Sequence, residues 1–176
     1  MNGWIRSVAE RLAREGYAAL STRLFSRTAP HLDLAYNKVS LRIRSSHKER
    51  TKESQLLADV AMAAGWLQTS TEQDKSGLGI VGFCFGGRVA MLASSLPQVV
   101  ATRDFYGAGV VSGRPGGGPP PTLEQGYKAK GPLLCVFGNE NPLIHLSARI
   151  VIEQEPEQPN RLRGTRLTHQ VLTLDG

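Results

Sequence analysis

Apolar positions recur at helical spacing through residues 2–15, where Trp4, Ile5, Val8, Leu12 and Ala13 alternate with Arg and Glu. That period predicts an amphipathic helix, with Asn2 as its N-cap and Gly16 as its stop. Residues 17–21 then read as a short buried strand. A second helix is expected over residues 54–67, with Leu57, Val60, Ala61, Ala64 and Leu67 as its apolar stripe. Residues 78–83 are continuously apolar, as in a strand covered on both faces. Helical spacing returns over residues 86–95. Residues 99–105 are a strand interrupted by Arg103 and Asp104, and residues 132–137 are another buried strand. Residues 28–51 are polar without a clear period and read as a solvated loop. Residues 113–121, GRPGGGPPP, hold neither helix nor strand. Residues 148–152 fit either element, and the pattern fades from residue 153 onward. Helices alternating with strands through short connections predict an α/β fold on a mostly parallel sheet.

Length and composition narrow the class. A chain of 176 residues with 40% hydrophobic and 20% charged positions builds a core, and it is neither a disordered nor a collagen-like chain. Lys and Arg total 21 against 15 Asp and Glu, a net charge of +6 that permits an anionic ligand without demanding one. Two cysteines make no disulfide scaffold, and no four-ligand Cys/His cluster suggests a metal. Arg6, Glu10, Arg11, Arg14 and Glu15 interrupt any signal-peptide core. The longest weakly polar run, residues 78–87, is too short to span a bilayer. A cytoplasmic protein without a membrane partner is expected. Lys38, Arg42, Arg44, Lys48, Arg50 and Lys52 face one acid, Glu49. Few aromatics interleave with them, so nucleic acid is not the expected partner.

The chemistry concentrates at Gly82-Phe83-Cys84-Phe85-Gly86-Gly87, on a strand-to-helix junction. The form is G-x-C-x-G, the nucleophile elbow with Cys in place of Ser. Glycines flank the nucleophile because side chains at Gly82 and Gly86 would collide with neighbouring backbone. Cys84 would then stand at a helix N-terminus, where amides and the dipole favour negative charge, and the Phe85 N–H would hold an oxyanion. Other cysteine and phosphate loops fit less well: Ala90 stands where a phosphatase loop needs Arg, and Gly87 where a redox pair needs Cys. Spacing alone leaves a second reading open, a buried structural cysteine in a Gly-rich turn.

The segment GFCFGGRVAMLA resembles the nucleophile region of the dienelactone hydrolase family. WIRSVAERLAREGYAAL, LLADVAMAAGWL, DFYGAGV and GPLLCVFGNENPLI resemble other segments of that family in consistent order over residues 3–145. The resemblance implies an α/β-hydrolase-like three-layer sandwich that hydrolyses small, possibly anionic, esters or lactones through a Cys-His-Asp triad, with no metal or cofactor. It implies Cys84 as nucleophile, residues 1–150 as the hydrolase-like domain, and residues 151–176 as a divergent tail.

Three departures accompany the resemblance. The family's first strands and a second oxyanion donor would precede Met1, so the sheet is expected to lack its N-terminal edge. The acid position holds Asn141, which either orients a histidine or is a plain turn residue. The C-terminal histidine is His169, either the base or a solvated side chain. Arg42 and Arg44 are candidate ligands for a substrate carboxylate, and Tyr106 of the FYG segment is a candidate pocket wall. Cys135, in an apolar strand, is expected to be inert core. Three functions are therefore in view. One is a thiol-dependent ester or lactone hydrolase. Another is an inactive or shortened family member that serves as a binding module or has no independent function. The third is polyanion binding through residues 38–52. Substrate identity and oligomeric state are not legible.

Overall fold

The computed structural model describes residues 3–32, 38–70, 77–113, 115–117, 120–153 and 169–174. The chain divides into two compact units, Met1–Ser76 and Gly77–Gly176.

The first unit is helical. Helix α1 spans Gly3–Arg14. It closes where Gly16 takes a φ of +91°, with the Tyr17 amide bonded to the Leu12 carbonyl at 3.1 Å and the Gly16 amide to Ala13 at 3.0 Å. Glycine permits this left-handed closure at little cost. Residues 17–21 are not a strand, which corrects the sequence expectation. A strand needs a neighbour to take its amides and carbonyls, and no strand is present among the described residues of this unit. The polar stretch is also not all loop, since α2 occupies Lys38–Glu49. Its period is hard to see because two of its apolar residues, Val39 and Ile43, are exposed. Its last turn carries His47 and Lys48, where cations suit the helix C-terminus. His47 Nδ1 lies 3.1 Å from Thr28 Oγ1 and the ring sits beside Phe25. Helix α3, Glu53–Ser70, buries Leu56 and Ala64. Its Asp59 receives a bidentate pair from Arg27, at 2.9 and 2.6 Å.

The second unit carries the sheet. Strands β1 (Leu78–Phe83), β2 (Val99–Phe105), β3 (Leu133–Gly138) and β4 (His169–Leu174) form one sheet in the order β1-β2-β3-β4. Every pairing is parallel. The apolar runs predicted these first three strands to within a residue. The fourth lies where the sequence pattern fades and was not expected. Helix α4, Phe85–Ala93, follows β1 directly and packs on β1 and β2; Gly87 to Ala93 are all buried. A short α5, Leu123–Gly126, rests against α4, and α6 spans Leu146–Glu153 across the ambiguous segment. Met91, Val110, Leu123, Cys135, Phe137, Ile144 and Ile152 form the core cluster. Burial of side chains of this size supplies about 1.5–3 kcal/mol each. Because all strands are parallel, the residues that follow β1, β2 and β3 emerge along one edge of the sheet.

Candidate active site

Cys84 joins β1 to α4 with φ 54° and ψ −121°, and it is exposed. A non-glycine residue in this region is strained, and such strain clusters at functional positions. The turn is held from both sides. The Cys84 amide donates to the Phe105 carbonyl of β2 at 2.9 Å, and its own carbonyl accepts from the Arg88 amide at 3.2 Å. The thiol caps no backbone amide of α4. Phe85 opens α4, and first-turn amides point outward from a helix end that favours negative charge. A Cβ at Gly82 would overlap the carbonyl of Gly86, so glycine is required there by close approach. Gly87 is equally confined, since a Cβ would strike the carboxyl of Asp104.

Tyr106 has the second strained non-glycine backbone, φ 45°, one residue past β2. Its amide donates to the Val136 carbonyl of β3 at 2.8 Å, repeating the link that Cys84 makes to β2. Two adjacent strand ends therefore carry strained residues. Tyr106 is 38% exposed, and its ring leans on Phe83, which stacks on Phe105 at 5.0 Å.

The turn after β3 carries Asn141 at the same edge. Its Oδ1 accepts from the Leu143 amide at 3.0 Å, an Asx turn. The buried Arg149 of α6 reaches back and donates to Asn139 Oδ1. Glu140 is exposed.

His169 is placed elsewhere. It opens β4 and pairs with Leu133, the first residue of β3. A six-residue parallel strand rises about 16 Å from its first to its last residue. The register thus separates His169 from the edge where Cys84, Tyr106 and Asn141 emerge. His145 is exposed on the loop between β3 and α6. Arg42 and Arg44 belong to α2 of the first unit, Arg42 exposed and Arg44 half-buried.

Two buried polar residues, Asp104 and Thr122, were not singled out as site residues by the sequence. Asp104 has no exposed surface, and Arg88 and Thr122 are buried with it. Arg88 Nε donates to Thr122 Oγ1 at 3.2 Å, and that hydroxyl donates to the Gly113 carbonyl at 2.9 Å. Burial lowers the Arg88 guanidinium from its ordinary range. Burial, opposed by a bond from the Gly107 amide, pushes Asp104 up to about 7. Cys135 faces Asp104 across the β2–β3 pairing, and burial followed by the Asp104 charge pushes its thiol up. The signal for Asp104 was present: an acid inside a strand whose other residues are mostly apolar. Among the described residues no cluster could hold a metal ion, and no helix is long and apolar enough to cross a membrane.

A family model described as the dienelactone hydrolase family matches residues 2–162. A Synechocystis protein provisionally named carboxymethylenebutenolidase is 35% identical over 88% of this chain and 62% of its own length. A Bradyrhizobium protein provisionally named 2-oxo-3-(5-oxofuran-2-ylidene)propanoate lactonase is 30% identical over 82% of this chain and 56% of its own. The chain thus spans about three-fifths of the length of these two relatives. The crystal structure of a protein provisionally identified as a dienelactone hydrolase, from Klebsiella pneumoniae, superposes with a TM-score of 0.72 at 25% identity. It covers 97% of this chain and 68% of that one. The α/β-hydrolase-like fold expected from the sequence is the fold of this neighbour.

Proposed function

The chain belongs to the dienelactone hydrolase family, and on that premise we propose that it hydrolyses small carboxylic esters or lactones through Cys84. One observation carries the proposal: Cys84 is exposed on a strained turn at the N-terminus of α4, within a matched family context. The thiolate attacks the ester carbonyl carbon, the S–C bond forms, and the carbonyl electrons move onto oxygen. The Phe85 amide and the α4 dipole stabilise that oxyanion. Collapse breaks the C–O bond and leaves a thioester. The leaving alkoxide takes the proton that a general base accepted from the thiol. Water then attacks the thioester, the base takes its proton, and the acid departs as Cys84 is regenerated.

The base is a histidine. The family resemblance assigns His169, and His145 is a second histidine of this unit, exposed on the loop after β3, so single variants at both positions decide between them. Asn141 orients the base through its amide in place of a carboxylate. Tyr106 forms a wall of the pocket. The lactonase name of the Bradyrhizobium relative contains a carboxylate-bearing lactone. An anionic lactone is accordingly the substrate class we assign. No cofactor or metal is required by these steps. Thiol chemistry suits a reducing compartment, the cytoplasm.

The test compares the parent with Cys84→Ala on a dienelactone and on an activated ester. Turnover that drops to background in the variant supports the mechanism. Equal turnover in the two proteins overturns it. Asn141 at the acid position favours a second reading, an inactive member that binds ester-like ligands. Tight binding without turnover in the parent would select it.

A further inference from the structure

Asp104 is a fully buried carboxyl beneath the Cys84 turn, and the proposed hydrolysis does not use it. Its Oδ1 accepts from the Gly107 amide at 2.8 Å, while its Oδ2 has no hydrogen-bond partner. The niche around it is built from two glycines. A Cβ at Gly87, in the first turn of α4, would overlap Oδ1; a Cβ at Gly107 would stand 2.6 Å from Oδ2 and 2.8 Å from the Arg88 amide. The next residue, Phe105, gives its carbonyl to the Cys84 amide. Asp104 therefore touches the backbone of the turn from beneath, and β2 holds the same turn through the neighbouring residue.

We propose that Asp104 is a positioning residue for the Cys84 turn. With its proton, the carboxyl packs between Gly87 and Gly107 and seats the turn on β2. Without it, the carboxylate draws water into the niche, and the turn moves off its strand. The assignment rests on the reading of Cys84 as the nucleophile.

The groups around Asp104 do not supply a counter-charge. From β1 comes Gly82, its register partner, which carries no charge. From α4 comes Arg88, whose Nε is bonded to Thr122 and whose Nη1 lies against Gly109. From β3 comes Cys135, held as a neutral thiol by burial and by Asp104 itself. Arg103, beside it on β2, is exposed, and Tyr106 is beyond the strand end. An unsolvated carboxylate with one donor is costly, and burial raises this one to about 7. The proton is thus lost within the range where a thiol enzyme works.

The test reads Cys84 directly. Iodoacetamide alkylation of the full chain is followed by mass spectrometry from about pH 5.5 to about pH 9, for the parent and for Asp104→Asn, with Cys84→Ala as the blank. Asparagine keeps the Gly107 acceptor and cannot ionise. The expected ratio of variant to parent rates is flat below about pH 6 and changes several-fold through about pH 7, then levels. A ratio independent of pH overturns the proposal. Hydrogen exchange of the parent needs no variant. Protection of the Cys84 and Arg88 amides is expected to fall about tenfold as pH passes about 7; constant protection overturns the proposal even if Asp104→Asn does not fold. Neither readout needs an ester. Turnover that survives Cys84→Ala would therefore sink the hydrolase reading while leaving the role of Asp104 in the turn to be judged by these two measurements.

Discussion

The amide of Cys84 donates to the carbonyl of Phe105 at 2.9 Å, so the strained turn and the end of β2 are one hydrogen-bonded unit. A residue with φ 54° keeps that conformation only when its surroundings over-determine it. Here the surroundings are the β2 carbonyl, the first turn of α4, and glycines that allow both to approach.

Gly82 is the tightest of these approaches. Gly82→Ala would drive a methyl into the Gly86 carbonyl, which belongs to α4 and cannot rotate away. The expected cost is roughly 2–4 kcal/mol, with loss of any Cys84-dependent turnover. Gly79, three residues earlier in the same strand, has nothing within 4 Å of its Cβ position. Gly79→Ala is expected to change stability by less than about 1 kcal/mol, because alanine also narrows the unfolded ensemble. Urea-unfolding midpoints of the two variants check the contrast. Similar midpoints would mean that the turn yields where it looks rigid.

Thr122 is buried, and its hydroxyl serves two partners, Arg88 Nε and the Gly113 carbonyl. Thr122→Val keeps the shape and removes both bonds. A buried donor left unpaired costs about 1–3 kcal/mol, toward the upper end when the donor is charged. Thr122→Ser keeps the hydroxyl and gives up one methyl, about 1 kcal/mol. Valine is therefore expected to destabilise more than serine in thermal melts, although valine matches the threonine in shape. The reverse order would show that packing, not the hydroxyl, is what this site needs.

The strands β1 and β3 were legible because residues 78–83 and 132–137 are nearly all apolar, and β2 because Val99, Val100, Ala101 and Phe105 outweigh the polar Thr102, Arg103 and Asp104. The strained turn at Cys84 was legible in the glycines around it, of which Gly82 and Gly87 are confined by close approach. Residues 17–21 were misread for the opposite reason: an apolar run does not become a strand without a neighbour in register. Helix α2 was hidden because Val39 and Ile43 face outward in a basic segment. Strand β4 follows a stretch whose prolines and scattered charges mask any alternation, and its register decides where His169 lies. Asp104 read as a flaw in β2. It is instead the inward-facing position of that strand, while its neighbour Arg103 faces out.

Asn141 can be converted to the residue that the resemblance leads one to expect. Its Oδ1 already accepts from the Leu143 amide, and a carboxylate makes the same bond. Arg149, bonded to Asn139 in the same turn, adds positive charge that favours an anion there. Asn141→Asp is therefore expected to leave stability within about 0.5 kcal/mol. If a histidine base operates at this edge, kcat/KM on an activated ester should rise about tenfold or more, because a carboxylate stabilises imidazolium and an amide does not. Steady-state kinetics beside a thermal melt checks both halves. A stable variant with unchanged kcat/KM would make Asn141 a turn residue.

Asp104 also sets a pH dependence of folding whose sign follows from its burial. The folded protein holds the Asp104 proton up to about pH 7, whereas an ordinary aspartate loses it near 3.8. Between those values the native state binds more protons than the unfolded chain, so stability falls as pH rises. The favourable contribution is complete below about 3.8, declines through the window and is gone above about 7. At about 1.4 kcal/mol for each pH unit, the whole change is a few kcal/mol. Asp104→Asn binds no proton, so its stability curve should lack this decline and lie relatively higher at pH 8 than at pH 5. Urea midpoints of parent and variant at pH 5, 6, 7 and 8 read the difference between the curves, which cancels every other titrating group. A difference that does not change with pH would mean that the carboxyl is ionised and solvated in the folded state, and that the Gly87–Gly107 niche admits water from the start.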